Sequence, residues 1–188
     1  FGGGNPPPKT SASESYNGTG WTNTPSLNTA RKQLAGTGSQ TAALGAGGYL
    51  VPGGSSAVEE YNGSSWTSTT SLPAARMSTT MVGTTTATLI FGGDLFPTPT
   101  RYTGTSVAFN GSSWTAGGTM NTARRRLSAA GTQTAALGFA GYQPPNSSAT
   151  ESYNGTSWTS LSPINTARQS ATGFGIQTAA ILAGGNTG

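Results

Sequence analysis

Four tryptophans, Trp21, Trp66, Trp114 and Trp158, stand 45, 48 and 44 residues apart, and each is followed by threonine. Arg31, Arg76, Arg124 and Arg168 keep the same three intervals. Glycine pairs run in the same register at Gly2-Gly3, Gly47-Gly48, Gly92-Gly93 and Gly184-Gly185, with Ala140-Gly141 as the one altered copy. Three independent markers in one register define an internal repeat. A repeat of this length restricts the chain to one supersecondary unit copied in series.

Within each unit an Asn-Gly pair lies four residues before the tryptophan, at Asn17-Gly18, Asn62-Gly63, Asn110-Gly111 and Asn154-Gly155. Asn-Gly tolerates positive φ at both central positions of a type I′ turn, so each copy is predicted to contain a tight hairpin. Its arms read Ala57-Val58-Glu59-Glu60-Tyr61 and Ser65-Trp66-Thr67-Ser68 in one copy. A second hairpin is predicted from Arg76 to Gly83, through a turn at Thr84 to Thr86, into Thr88-Leu89-Ile90-Phe91 and Gly92-Gly93. The four strands of a copy are A (from the arginine), B (ending at the glycine pair), C (ending at Asn-Gly) and D (carrying the tryptophan). Four short antiparallel strands in about 45 residues is the size of one β-propeller blade. The expectation is therefore an all-β fold, one domain over residues 1–188, built of four-stranded antiparallel blades.

Composition decides whether such a chain can hold a core. Only 25 of its 188 residues are Leu, Ile, Val or Phe, a share that ordinarily warns of disorder. Disorder also needs high net charge, and here it is +4. With 29 glycines, a core of small residues, aromatics and closely packed backbone remains accessible.

The same composition excludes whole classes of chemistry. The chain has no cysteine and no histidine, which removes zinc sites, disulfides, thiol nucleophiles and imidazole acid/base catalysis. Five acidic residues leave little material for hydrolysis, and the nine Lys and Arg are too few to argue for nucleic acid. No apolar run is long enough to insert into a bilayer. No cofactor and no metal are expected. The chain starts with Phe1 rather than Met, on the tail of a B strand, and reads as a processed product or a piece of something longer.

The succession of arginine, apolar strand, Gly-Gly, aromatic strand end and tryptophan resembles the kelch repeat, and the resemblance covers the whole chain. The wording Glu-Ser-Tyr-Asn-Gly-Thr-Ser-Trp-Thr at 151–159, followed by Asn-Thr-Ala-Arg at 165–168, is similar to kelch-like repeats in tail-fibre or structural proteins of phages, notably marine ones. The third copy departs most, with Phe109 for tyrosine and Ala140 for glycine. The resemblance implies a propeller and says little about function. The copper site of galactose-oxidase-like kelch enzymes needs histidine, and the N-G-x-x-W spacing differs from the Asp box of sialidases.

Counting strands gives C and D four times and A and B four times. If A and B of Arg168 to Ala183 pair with C and D of Ala12 to Thr22, four blades close into a ring with one blade shared by both ends. A larger ring, from two chains or a longer array, is the alternative. One face of the ring would then carry the A–B turns Gln40-Thr41, Gln133-Thr134 and Gln177-Thr178 beside the Asn-Gly turns. The opposite face would carry the variable B–C loops Asn5 to Ser11, Tyr49 to Ser56, Asp94 to Ser106 and Tyr142 to Ser148. Binding specificity usually resides in such loops. The candidate ligand contacts are Tyr49, Asp94, Phe96, Arg101, Tyr102, Tyr142 and Asn146, among prolines that include Pro6, Pro7 and Pro8.

Alternation along strand C puts Glu14, Glu59 and Glu151 on one face with Tyr16, Tyr61 and Tyr153, while the third copy has Val107 and Phe109 there. A face that accepts Val for Glu is a packed one, and a buried carboxylate needs a partner. Glu14, Glu59 and Glu151 are therefore expected to pair with arginines from the set Arg31, Arg76, Arg124 and Arg168, one arginine being left over. The competing reading of these arginines is an anion-binding ring at a channel mouth, reinforced by Arg125 and Arg126. The tryptophans read as packing between blades rather than sugar platforms. Asn-Gly-Ser/Thr also fits the N-glycosylation pattern, with Asn146 adding a fifth match, but the turn alone accounts for four of them.

These observations favour a noncatalytic, extracellular, virion-associated or cell-surface module. Its loops would contact a host surface glycan or protein, without nucleic acid or membrane insertion, and a homo-oligomer is open. The alternative is a structural connector or filament-forming surface protein joined to neighbouring fibre subunits. A carbohydrate-active enzyme is the weakest reading.

Overall fold

Each Asn-Gly segment closes a hairpin by a mechanism that sequence alone does not specify. In the computed structural model, which describes residues 9–97 and 102–188, Tyr61 pairs with Trp66 and Tyr153 with Trp158. The loop between the strands is thus four residues long, not two. Only the glycine takes positive φ, 94° at Gly63 and 97° at Gly155. The asparagine works through its side chain instead. Oδ1 of Asn154 accepts the backbone N–H of Thr156 at 3.0 Å and of Ser157 at 2.9 Å, and the other three copies repeat this. The expected type I′ turn is replaced by an Asn-capped loop, because the side-chain oxygen satisfies two backbone donors that a two-residue turn would not contain.

Among the described residues every element is a strand, and every pairing is antiparallel. A first sheet is ordered β3 (Ala35–Gly38), β4 (Ala43–Ala46), β5 (Val58–Tyr61), β6 (Trp66–Thr69). A second consists of β8 (Thr80–Gly83), β9 (Thr88–Phe91), β11 (Ser106–Phe109) and β12 (Trp114–Ala116). A third is β13 (Ser128–Gly131), β14 (Ala136–Phe139), β15 (Thr150–Tyr153) and β16 (Trp158–Leu161). These are the expected strands A to D in order. Two half-sheets flank them: β1 (Ser13–Tyr16) with β2 (Trp21–Thr24), and β17 (Thr172–Ile176) with β18 (Ala179–Ala183). The segment from Arg76 to Gly83 is not one strand. Ser78 takes φ 52° and splits it into β7 (Ala75–Met77), which pairs with β10 (Asp94–Phe96), and β8.

Neighbouring copies are joined by the same bonds each time. Ser78 donates its backbone N–H to Gln33 O at 3.2 Å, Arg126 to Ser78 O at 2.8 Å, and Ser170 to Arg126 O at 3.0 Å. These four residues are repeat-equivalent, all have φ between 51° and 58°, and together they line one cavity of about 310 Å³. A second set links the glycine pairs onward: Gly48 N–H to Arg76 O, Gly93 to Arg124 O and Gly141 to Arg168 O, at 2.9, 2.9 and 2.8 Å. The second glycine is obligatory on geometric grounds, since Gly93 has φ 97° and a Cβ there would stand 2.6 Å from Met77 O.

The core is two slabs between sheets. One holds Leu44, Val58, Met81, Ile90 and Phe109, and the other Leu89, Phe91, Leu127, Tyr153 and Trp158. Trp158 is a repeat tryptophan at full burial. Its ring lies 4.7 Å from Phe91 and 5.0 Å from Tyr153, and such burial contributes about 1.5–3 kcal/mol.

The expected sharing of one sheet by both ends does not occur: no pairing joins β18 to β1 among the described residues. β17 packs on β13, and Trp66 of the first sheet donates to Ser13 of β1. Gly2-Gly3, Pro6, Pro7, Pro8 and Arg101 lie outside the described residues.

Candidate functional site

Two groups of polar residues stand out, one inside the sheets and one on the B–C loops. Inside, the segment before strand A delivers an arginine beneath strand C of the same sheet. Arg124 Nη1 lies 2.5 Å from Glu151 Oε1, with both side chains inaccessible to solvent. The guanidinium also donates to Ala140 O at 2.9 Å and Gly138 O at 3.2 Å. Glu151 accepts the backbone N–H of Asn121 at 2.6 Å and of Thr122 at 3.2 Å. Arg31 and Glu59 repeat this at 3.0 Å, with Asn28 N–H donating to Glu59 at 2.6 Å. Burial pulls both arginines below the ordinary guanidinium range, and the facing carboxylates pull the other way.

The second sheet lacks the carboxylate, and its arginine differs accordingly. Arg76 is buried, reaches only Thr105 O and Thr105 Oγ1, each at 3.4 Å, and desolvation lowers it to about 10. The backbone donor is missing as well: Pro73 stands where the other copies have Asn28 and Asn121. Donor and acceptor have been removed together, so neither is stranded. The pair expected at Glu14 does not form. Glu14 is exposed, and its positional counterpart Arg168 lies on the other half-sheet, bound to Thr166 O and Gly184 O. None of Arg31, Arg76 and Arg124 is accessible to an anion at a channel mouth.

The loop face is assembled from the residues that follow each glycine pair. Tyr49, Asp94, Tyr142 and Asn186 occupy equivalent positions. Tyr49 bridges to Lys32, Tyr142 to Arg125 and Asn186 to Gln169, while Asp94 pairs with Met77 and Tyr102. Successive loops then clasp one another. Phe96 packs against Gly53 and Gly54 of the preceding loop, and Asn146 Nδ2 donates to Asn186 O at 2.9 Å in the next. Between these, the Arg125 guanidinium lies 5.2 Å from the ring centres of both Tyr102 and Tyr142, whose rings meet edge to face at 6.0 Å. From below, Asp94 holds Arg125 Nη1 at 3.0 Å. Lys9 and Lys32 each stand 5.3 Å over Tyr49.

Asp94 is thus a support and not a ligand contact. It is wholly buried, so it fixes Arg125 instead of reaching solvent. Tyr49, Phe96, Tyr102, Tyr142 and Asn146 are half-buried on this face, and Arg101 lies outside the described residues. The sequence marks the organising cation, Arg125, only as a channel-mouth charge. The signal was there in the run Arg124-Arg125-Arg126, whose first member is fixed inside by the repeat. Alternation turns the next one outward onto the loops.

Among the described residues no group of three or more acidic, cysteine or histidine side chains converges as a metal cage. No helix is long and apolar enough to cross a membrane. Neither the family models nor the curated proteins compared with the sequence match it.

Proposed function

We propose that the chain is a kelch-like β-propeller, each copy a blade, that serves as a noncatalytic binding module on an extracellular particle. Virion fibres of the kind whose repeats the sequence resembles are the setting that fits. The ligand is a host surface glycan or protein, and the chemistry of the loops favours a glycan carrying acid groups. The axial reading is supported by equivalent bonds linking Gln33, Ser78, Arg126 and Ser170 around one cavity.

The observation that carries the binding reading is the Arg125 clamp between Tyr102 and Tyr142. Tyrosine rings offer flat apolar faces to sugar C–H groups, and a guanidinium offers a fork to a carboxylate. Arg125 keeps a side-chain exposure of 15%, and its orientation is set before any ligand arrives, which lowers the cost of binding.

Glycan-array and host-cell binding of a Tyr102→Ala/Tyr142→Ala variant tests this. Affinity is expected to fall at least about 30-fold, as for loss of a binding hot spot, with unchanged circular dichroism and thermal midpoint. Unaltered binding by the folded variant would remove this face from the function. A connector is the second reading; among the described residues the facing edges of β1 and β18 pair with no other strand. In that case cell binding is absent from the outset, and subunit assembly is the property that edge variants abolish.

A further inference from the structure

We propose that the second sheet binds a small monovalent anion of the chloride class at Arg76, in the place that a glutamate carboxylate takes in the first and third sheets. The inference stands on the equivalence of three buried arginines and is independent of what the loop face binds.

The three arginines are placed alike. Arg31, Arg76 and Arg124 are 0, 2 and 0% exposed, and each guanidinium reaches the same strand C carbonyl of its own sheet, that of Ala57, Thr105 and Ala149 in turn. What stands opposite differs. Glu59 and Glu151 meet Arg31 and Arg124 at 3.0 and 2.5 Å, whereas the corresponding residue of the second sheet is Val107. Valine ends at its γ carbons and carries nothing where glutamate has its carboxyl group. Val107 also keeps 7% exposure where both glutamates keep 1%, so this position is the least sealed of the three.

None of the five acids in the sequence serves Arg76. Glu59, Glu151 and Asp94 are paired with Arg31, Arg124 and Arg125. Glu14 is exposed on β1, and Glu60, next to Glu59 on β5, is turned by alternation to the other face of the first sheet. Segments 1–8 and 98–101 contain no acid. Neutral partners compensate poorly. Arg124 donates to Ala140 O, Thr122 O and Gly138 O at 2.9, 2.9 and 3.2 Å besides its carboxylate. Arg76 has two contacts of 3.4 Å, both to Thr105, and its Nε is buried with no partner among the described residues. A cation so enclosed calls for a counter-charge, and burial alone lowers Arg76 to about 10.

The donors beside Arg76 suit an anion. Thr105 replaces the alanines Ala57 and Ala149. Its hydroxyl accepts from Arg76 Nη2 and lies 2.9 Å from Thr103 Oγ1, so one hydrogen of the two hydroxyls is left to donate. Ala74 stands where Thr122 does, and Thr122 donates its N–H to Glu151 at 3.2 Å. The Ala74 N–H has no partner among the described residues. Guanidinium, hydroxyl and amide thus supply three donors and one positive charge. Charge and size select the ion. One cation balances one negative charge, a sulfate or phosphate would bury a second, and the room that valine concedes is that of a carboxyl group. Water satisfies a donor but leaves the charge. The ion is enclosed as the chain folds, so no open mouth is required.

Thermal unfolding of the full chain in sodium chloride, bromide and gluconate, each at about 100 mM, tests this. Both halides are expected to raise the folding constant about 10- to 100-fold over gluconate, as for a ligand at 10 to 100 times its Kd. The midpoint then rises by roughly 3–10 °C. Arg76→Met is expected to lose the halide response, and so is Val107→Glu, which supplies the carboxylate from within. Arg76→Met strands no carboxylate and should fold, so the test does not depend on Val107→Glu folding. The chloride NMR line, broadened by the native chain, should narrow with Arg76→Met. Equal midpoints in chloride and gluconate overturn the proposal, as does a halide response that persists in Arg76→Met. Crystals grown in bromide that show water and no anomalous peak beside Arg76 overturn it too.

Discussion

Replacing Arg124 with methionine is expected to cost about 3–5 kcal/mol of folding stability, because it leaves the Glu151 carboxylate buried without its cation. In a domain of this size that corresponds to a thermal midpoint lowered by roughly 6–20 °C. The chain contains its own control. Arg76 has no carboxylate, and burial lowers it to about 10 from the ordinary guanidinium range. The unfolded chain holds that proton more tightly, so Arg76 weighs against folding throughout the range below about 10, and the penalty lifts as pH rises above that value. Arg76→Met should therefore cost less than half as much as Arg124→Met. A further check uses the changes that distinguish the second sheet. Glu151→Val strands the Asn121 N–H that it accepts at 2.6 Å, and Asn121→Pro removes that donor, so the double variant should be more stable than Glu151→Val alone. Denaturant titration of the four variants decides this. Equal losses for Arg124→Met and Arg76→Met would mean that the carboxylate contributes nothing.

How much of this was visible in sequence depends on the kind of feature. Strand order within a copy follows from the spacing of Arg, Gly-Gly, Asn-Gly and Trp, since each marker sits at or beside a strand end and three intervals repeat it. The Arg31 and Arg124 pairings were legible for the same reason: Val107 and Phe109 replace glutamate and tyrosine together in one copy, which marks that face of strand C as packed. The loop face was less so. Asp94 looked like a solvent-facing acid because nothing local marks burial, and its partner Arg125 lies 31 residues further on. The failure of β18 to reach β1 could not be read at all. It depends on how successive sheets seat against one another through residues such as Trp158, Phe91 and Leu127, and the spacing of markers along the chain carries no signal of that. Ser78 breaking strand A is of the same type, its positive φ being imposed by the bond to Gln33 rather than by serine.

Gly131→Val is expected to destabilise the chain by more than about 3 kcal/mol. Gly38, Gly83, Gly131 and Gly175 follow the 45, 48 and 44 spacing at the end of strand A. All have φ between 107° and 115°, and in each a Cβ would fall on the carbonyl oxygen four residues on, that of Ala135 in this copy. The conformation alone costs a residue with a Cβ about 1–3 kcal/mol. The oxygen has no room to withdraw, because it accepts the Thr132 N–H at 3.0 Å and closes the A–B turn. Opening that turn also displaces Gln133, whose amide holds Thr88 O and Phe109 O of the preceding sheet at 3.1 and 2.7 Å, so the damage spreads from a turn to an inter-sheet contact. Gly155→Ala separates the two causes. Gly155 has φ 97° but its nearest contact to an added Cβ is 3.6 Å, so only the conformational cost applies and the loss should stay near 1–2 kcal/mol, roughly that of left-handed backbone. Thermal unfolding of both variants measures the difference. If Gly131→Val loses no more than Gly155→Ala, the Ala135 carbonyl is free to move and the A–B turn does not hold the sheets together.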